Sequence, residues 1–414
     1  MAKNSQKKVT GAFLGTIIEY YDYSLYGFSA GILASKFFPE ADKISGLMYV
    51  FAIYALSYLA KPVGSVFFSH IGDLYGRKTS LRLTVIGIAF PTLLIGLLPD
   101  YNSIGVLSYQ ILIICRFLQG FFTAGEYDGA AIYAIEHIGK KHHYTASSIT
   151  RAAGVAGLLL GIASTNFFNS SIFPEWGWRI PFLLSLPLAL VTIYYRSFLE
   201  ETPDFIESKK DNLEFDNVVS FIKNRWVVLI SMIMLAGGFG VTYQVSIIFM
   251  KQYLPIIVPY TKNIITVFSV VIVLVFGITM PISGLLSDRF GSRVVIKYSL
   301  ISTILSCILM ILSINQQLIN LSLASCVLLA ISVAPFNALA HGIAIKMFKT
   351  NERYRGIGLG HATGSMLMSG TANFVCLFFM RKFDLQLFPL FYVCFFAIIA
   401  YLTIVNLLNK NLSD

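Results

Sequence analysis

Twelve apolar runs, each long enough to cross a lipid bilayer, constrain this chain more than any other feature. They fall at about 11–34, 45–70, 81–99, 105–134, 146–168, 179–198, 226–250, 263–287, 294–313, 318–345, 356–379 and 386–408. A helical span needs roughly 20 such residues at 1.5 Å rise each. Inside lipid every backbone N–H and C=O must be satisfied by the segment itself, which selects helices for runs of this length. Composition agrees: of 414 residues 56% are hydrophobic and only 13% charged, too few charges to coat a water-soluble surface. The expected fold class is an all-α membrane protein with twelve transmembrane helices. Pro62, Pro91, Pro187, Pro281 and Pro335 fall within the runs, where neighbouring helices re-satisfy the freed carbonyls. The five cysteines also lie in apolar runs without metal-ligand spacing and read as packing residues.

Loop charge sets the expected orientation. With the N-terminus inside, 21 Lys and Arg residues fall in inner segments and 7 in outer ones, so both termini are expected in the cytoplasm. The net charge of +10 is then a topology signal. No basic patch interleaved with aromatics marks a nucleic-acid surface.

The longest polar stretch, Leu199 to Arg225, falls between spans six and seven. It reads as a cytoplasmic linker, with a short amphipathic helix around Val218 to Ile222. The expected division is a six-helix bundle over 1–198, the linker over 199–225, and a second bundle over 226–414. A local pattern recurs half a chain apart. Gly72-Asp73-Leu74-Tyr75-Gly76-Arg77-Lys78 follows span two, and Ser287-Asp288-Arg289-Phe290-Gly291-Ser292-Arg293 follows span eight. A parallel repeat of two halves about an axis normal to the membrane accounts for that offset.

These loops resemble the two copies of the major facilitator superfamily motif G-x-x-x-D-R-x-G-R-K. The second copy keeps Gly284 four residues before Asp288; the first has Ser69 there and Leu74 where Arg is usual. The resemblance implies the two-bundle major facilitator fold. It also implies a gating loop, built here from Gly72, Asp73, Gly76, Arg77 and Lys78 and from Gly284, Asp288, Arg289, Gly291 and Arg293. Glycine permits the tight turn, and the Asp accepts hydrogen bonds from a neighbouring helix N-terminus. Five further stretches narrow the likeness: Gly15 to Gly27, Lys61-Pro62-Val63-Gly64, Arg116 to Gly120 with Ala124 to Ala131, Trp176 to Phe182, and Glu200 to Phe205. Together they resemble the metabolite:proton symporter family, which includes proline/betaine, citrate, α-ketoglutarate and shikimate transporters.

A charge at mid-bilayer costs roughly 2.5–3.5 kcal/mol on insertion scales, so each such residue needs a reason. Glu19, Asp22, Lys61, Arg116, Glu126, Asp128 and Arg151 lie within spans one, two, four and five and are the candidates for proton coupling or substrate binding. Glu19 and Asp22 are three residues apart, on one helix face; two close carboxylates raise one another's proton affinity. The alternative is that they neutralise Lys61, Arg116 or Arg151. Arg116 keeps its proton at any working pH, so it biases a neighbour or holds an anion. Family members usually have a small residue at Asp128, which touches a neighbouring base or tunes substrate choice. Gly125 and Gly129 read as helix packing. Tyr20, Tyr21, Tyr23 and Tyr26 surround Asp22 and either cradle a quaternary ammonium or simply pack. Tyr23, Tyr26, Gln244, Asn337, Asn373 and His361 are candidate cavity residues. His341 and His361 titrate in the working range or pack as hydrogen-bonded histidines.

The resulting expectation is a transporter rather than an enzyme. It imports a small polar metabolite such as proline or betaine by proton symport, with no metal and no cofactor beyond the proton gradient. A citrate- or α-ketoglutarate-like acid, a siderophore, and a transport-dead sensor are the alternatives. The expected setting is the bacterial inner membrane, as a monomer whose partners are the substrate, protons and lipid.

Overall fold

The computed structural model describes residues 2–75, 77–138, 142–197, 218–258, 262–348 and 352–409. Side chains are described except at 2–14, 69, 70, 72–75, 77, 78, 81, 126, 127, 130, 133, 134, 136–138, 218, 219, 262, 263, 266, 408 and 409. Twelve helical spans follow in chain order, labelled α1 to α12. α1 is Ala2–Phe28; α2 is Lys43–Leu59 continuing as Lys61–Tyr75; α3 is Arg77–Leu97; α4 is Val106–Ile138. α5 is His143–Phe168, and α6 is Ile180–Leu183 with Ser185–Arg196. α7 is Val218–Tyr243, Gln244–Phe249 and Met250–Ile257. α8 is Lys262–Phe290 and α9 is Ser292–Asn315. α10 is Ile319–Ala338 with Ala340–Ala344. α11 is Arg353–Gly364, Ser365–Ser369 and Ala372–Lys382, and α12 is Phe388–Asn409.

On the described residues ten of these, all but α1 and α3, are long and apolar enough to cross a membrane. Large apolar side chains such as Val63, Phe90, Ile278, Leu285 and Phe391 stand more than half exposed on the outer surface of the bundle. In water that surface would be costly; in lipid it is the solvent-facing side.

Local chemistry explains the breaks. Asp42 caps α2 by accepting a hydrogen bond from the Ser45 N–H at 2.8 Å. The same helix breaks at Ala60, and Pro62 falls in the first turn of the next segment, where its missing N–H costs nothing. Gly291 turns α8 into α9 at φ +86°, a conformation glycine adopts without strain. Val218 begins a helical lead-in that bends at Arg225 (φ −119°, ψ 18°) before α7. That covers the short helix expected at Val218 to Ile222; the rest of the expected linker before it, 199–217, lies outside the described residues.

Packing repeats between the halves. α1 packs on α5 and α6, α3 on α4; correspondingly α7 packs on α11 and α12, α9 on α10. The halves meet chiefly through α5 with α8 and α2 with α11. Small residues set these approaches. A Cβ on Gly157 of α5 would stand 2.0 Å from the Ile17 carbonyl oxygen of α1, and one on Gly284 of α8 would stand 2.1 Å from Ser148 Oγ of α5. Without hydrophobic drive between helices in lipid, such close backbone approach is what holds spans together.

Candidate functional site

A cavity of about 90 Å³ lies between the halves, the space of roughly six or more waters. α1 contributes Glu19, Tyr20 and Tyr23; α2 contributes Tyr58 and Lys61; α5 contributes Arg151. From the other half come Tyr243 and Gln244 of α7, Asn337 and His341 of α10, and His361, Ser365 and Ser369 of α11. Its polar wall thus carries an acid, two bases and four tyrosines, with aliphatic groups such as Leu158, Leu235 and Met280 between them.

The side chains are aimed by their neighbours. Gly154 leaves room for the Tyr20 ring, and the Tyr20 hydroxyl accepts from Arg151 Nη1 at 2.8 Å. The Lys61 ammonium stands 4.2 Å from the Tyr58 ring centroid and 4.8 Å from that of Tyr23, within cation–π range. Gln244 opens one π-helical segment and Ser365–Ser369 forms another. Both widened turns lie on cavity-lining helices, the usual setting of such turns at functional sites. Gln244 Oε1 accepts from the Tyr54 hydroxyl at 3.5 Å, while its Nε2 has no partner among the described residues.

Arg116 is fully buried outside the cavity wall. Its Nη1 donates to Gln119 Oε1 at 2.6 Å and its Nη2 to Ser57 Oγ at 3.3 Å. Gln119 Nε2 donates in turn to Thr92 Oγ1 at 2.7 Å. The guanidinium sits over Tyr26 at 4.2 Å and Tyr54 at 4.9 Å. Tyr26 is therefore not a cavity residue: it lies beneath Arg116, its hydroxyl donating to the Val50 carbonyl at 3.1 Å. The tyrosines expected around Asp22 hold the protein's own cations, Tyr26 under Arg116 and Tyr23 beside Lys61. Asn373 is also off the wall, fully buried with neither amide atom partnered among the described residues.

The expected carboxylate pair divides. Glu19 faces the cavity and Asp22, 2% exposed, does not; a three-residue step turns a helix by about 60° from the starting face, and the cavity takes only the first. Asp128 lies behind the wall with both oxygens engaged, Oδ1 at 2.9 Å from His341 Nε2 and Oδ2 at 3.3 Å from His361 Nδ1. The Glu126 side chain lies outside those described, as do the side chains of Asp73, Arg77 and Lys78, the surroundings of Gly72 and all of Gly76.

In the second loop copy, Asp288 accepts from the Tyr144 N–H at 3.2 Å and the Thr145 N–H at 3.0 Å, in the first turn of α5. Its Oδ2 also accepts a hydrogen bond from the Thr145 hydroxyl. The Tyr144 hydroxyl meets Ser292 Oγ at 2.8 Å, and the Arg289 guanidinium lies beside the Phe290 ring at 5.3 Å. The Asp288 and Tyr144 contacts join the halves at the basic face. At the opposite face Lys251 Nζ donates to the Phe28 carbonyl at 3.2 Å and to Asn166 Oδ1 at 3.0 Å, and Arg381 pairs with Asp42 at 2.8 Å. The Ser45 N–H and hydroxyl, and then Arg381, hold the Asp42 carboxyl below the usual aspartate range. The cavity is bracketed by contacts on both sides.

Sequence reasoning missed Tyr58, Tyr243, Ser365 and Ser369. Tyr58 carries a signal, three residues before Lys61 and thus near its face; the two serines carry none.

Two related six-helix halves closing on a small charged cavity define a membrane transporter, not an enzyme. The chain belongs to the Major Facilitator Superfamily, whose family model matches residues 12–373. It is 30% identical to a proline/betaine transporter of Salmonella typhimurium, over 96% of this chain and 82% of that one. A glycine betaine/proline/ectoine/pipecolic acid transporter of Dickeya dadantii matches at the same identity and coverage. A putative proline/betaine transporter of Staphylococcus aureus is 30% identical over 97% of this chain and 88% of that one. Among solved structures, the proton:xylose symporter XylE bound to 6-bromo-6-deoxy-D-glucose superposes with a TM-score of 0.79 at 13% identity, covering 99% of this chain and 96% of that one. The inward-open xylose transporter XylE from E. coli gives 0.73 at 15% identity, covering 95% and 94%. At these identities the structural likeness establishes the fold.

Proposed function

We propose that the protein imports a small zwitterion of the proline or betaine type together with protons, across a bacterial inner membrane, with both termini and the basic face in the cytoplasm. The observation that carries this reading is the cavity wall itself: Lys61 and Arg151 stand with Glu19 and four tyrosines around one small space. A solute carboxylate pairs with Lys61 and Arg151, and its ammonium meets Glu19 and the ring faces of Tyr20 and Tyr243. The names of the relatives support the same substrate class. The bundles over 1–198 and 226–414 act as the two moving bodies, rocking about the cavity, while Asp288 at the N-terminus of α5 latches the basic face.

Glu19 is the cavity-facing acid and the first proton carrier in this scheme; Asp22 and Glu126 are secondary candidates. A second reading follows from the excess of base over acid on the wall: a dicarboxylate would also be held by Lys61 and Arg151. Uptake into proteoliposomes under an inward proton gradient, from a radiolabelled panel of L-proline, glycine betaine, citrate and α-ketoglutarate, separates them. Accumulation of a zwitterion that collapses with an uncoupler supports the proposal, and Glu19→Gln is expected to abolish it. Accumulation of the acids alone replaces the zwitterion reading.

A further inference from the structure

The proposed transport scheme gives no task to Asp128 or its two histidines, although they form a buried charged cluster that crosses the molecule. Asp128 comes from α4 in one half; His341 and His361 come from α10 and α11 in the other. Asp128 and His341 are 5% and 3% exposed. Both imidazoles form part of the cavity wall, with Asp128 behind them. A path therefore runs from the cavity, through either ring, to the carboxylate.

Among the described residues, charged and titratable groups of α1, α2 and α5 act on this cluster. Lys61 of α2 and Tyr20 of α1 feel the Asp128 charge. Glu19 of α1 acts on the same two groups, and Arg151 of α5 acts on His341. With both imidazoles neutral, Asp128 and Glu19 balance Lys61 and Arg151. A zwitterion adds no net charge, but its carboxylate engages Lys61 and Arg151 while its ammonium meets Glu19, so Asp128 loses part of the positive charge that offset it in a low-dielectric setting. Binding of a proton on an imidazole is then favoured. Linkage makes the effect reciprocal: a proton on the cluster favours the solute. Because the three residues span both halves, parting the halves at the basic face pulls Asp128 from its histidines and opens the cluster to that side.

We propose that Asp128, His341 and His361 form a proton-binding clasp between the two halves, loaded from the cavity through the imidazoles and emptied when the basic face parts. The proposal rests on the reading of the cavity as a carboxylate-binding site, and its test separates the two. In proteoliposomes bearing the full chain, counterflow of radiolabelled L-proline and glycine betaine is measured between about pH 5 and 8, where histidine titrates. Accumulation driven by an inward proton gradient is measured alongside.

The parent is expected to bind solute more tightly as pH falls. Asp128→Asn is expected to lose accumulation by ~tenfold or more, the effect of at least one unit of proton affinity, while its remaining counterflow loses the part of the pH dependence that the cluster contributes. His341→Gln and His361→Gln are each expected to displace the midpoint of the pH profile. An Asp128→Asn protein that accumulates solute like the parent, or that keeps the parent's pH profile at a uniformly lower rate, overturns the clasp. If Asp128→Asn fails to fold, His361→Gln carries the same pH readout from the cavity wall. Parent protein that moves neither solute overturns the zwitterion reading instead. The clasp is then read without solute, by infrared difference spectra between acid and alkaline pH. A carboxylate–imidazole band lost in Asp128→Asn or His361→Gln supports it, and an unchanged spectrum overturns it.

Discussion

Arg116 and Asp128 are buried charges on one helix, three turns apart, and their surroundings differ in one respect. Among the described residues the partners of Arg116 belong to its own half: Gln119 on α4, Ser57 and Tyr54 on α2, Tyr23 and Tyr26 on α1. The two imidazoles that engage Asp128 belong to the other half. A charge satisfied within one half stays satisfied when the halves rock, and acts as a fixed part of the frame. A charge satisfied across the halves changes its surroundings at each turn of the cycle. Only the second kind can convert movement into a change of proton affinity.

Arg116→Leu should have the largest effect on folding. It removes two hydrogen bonds to a charged group and a cation–π stack, leaving Gln119 Oε1 unpaired, a loss of about 3 kcal/mol or more. Thermal denaturation in detergent is expected to show the drop equally at every pH. A pH-dependent drop would place Arg116 among the coupling groups and break the comparison.

Two glycines sharpen it. Gly157→Leu intrudes on the α1 backbone within one half and should lower the melting temperature by the equivalent of about 1–3 kcal/mol. Gly284→Leu intrudes on α5 from the other half, so it should part the basic face rather than unfold the protein. A cysteine placed at Ala340 on the cavity wall, with the native cysteines replaced, is expected to label faster from that face in Gly284→Leu and no faster in Gly157→Leu.

Tyr20→Phe removes the hydroxyl that aims Arg151. With a charge-assisted bond worth about 1.5–3 kcal/mol, KM for the solute should rise ~tenfold while the melting temperature changes little. The smallest effect is expected at the opposite face. Asp42 has a depressed proton affinity in the folded state, so its contribution is present at neutral pH and is lost as pH falls through that lowered value. The pair is exposed and salt-screened: Arg381→Gln should leave transport near the parent rate at physiological salt. A large loss would make this contact a true outer latch.

Much of this arrangement was legible in the chain, and the illegible part has a common cause. The apolar runs and the repeated Asp-x-x-Gly loop are local signals, and they lead to the twelve-span fold. Gly291, expected to permit a tight turn, has the positive φ that such a turn requires. Helical periodicity placed Glu19 and Asp22 on one face but could not say how wide the cavity is, and it admits only Glu19. The tyrosines of span one resembled an open cage because their occupants, Lys61 and Arg116, come from other helices. Asp128 and His341 are 213 residues apart, and nothing in either neighbourhood names the other. The π-helical turns at Gln244–Phe249 and Ser365–Ser369 leave no mark on composition.

The central claim, that solute and protons enter together through the charged cavity, is tested most directly by proton movement. Proteoliposomes without any imposed gradient would be loaded with a pH-sensitive dye and given external glycine betaine or L-proline. The account expects the interior to acidify on addition of the solute and Glu19→Gln to abolish the signal. Solute entry in the parent without acidification would contradict it.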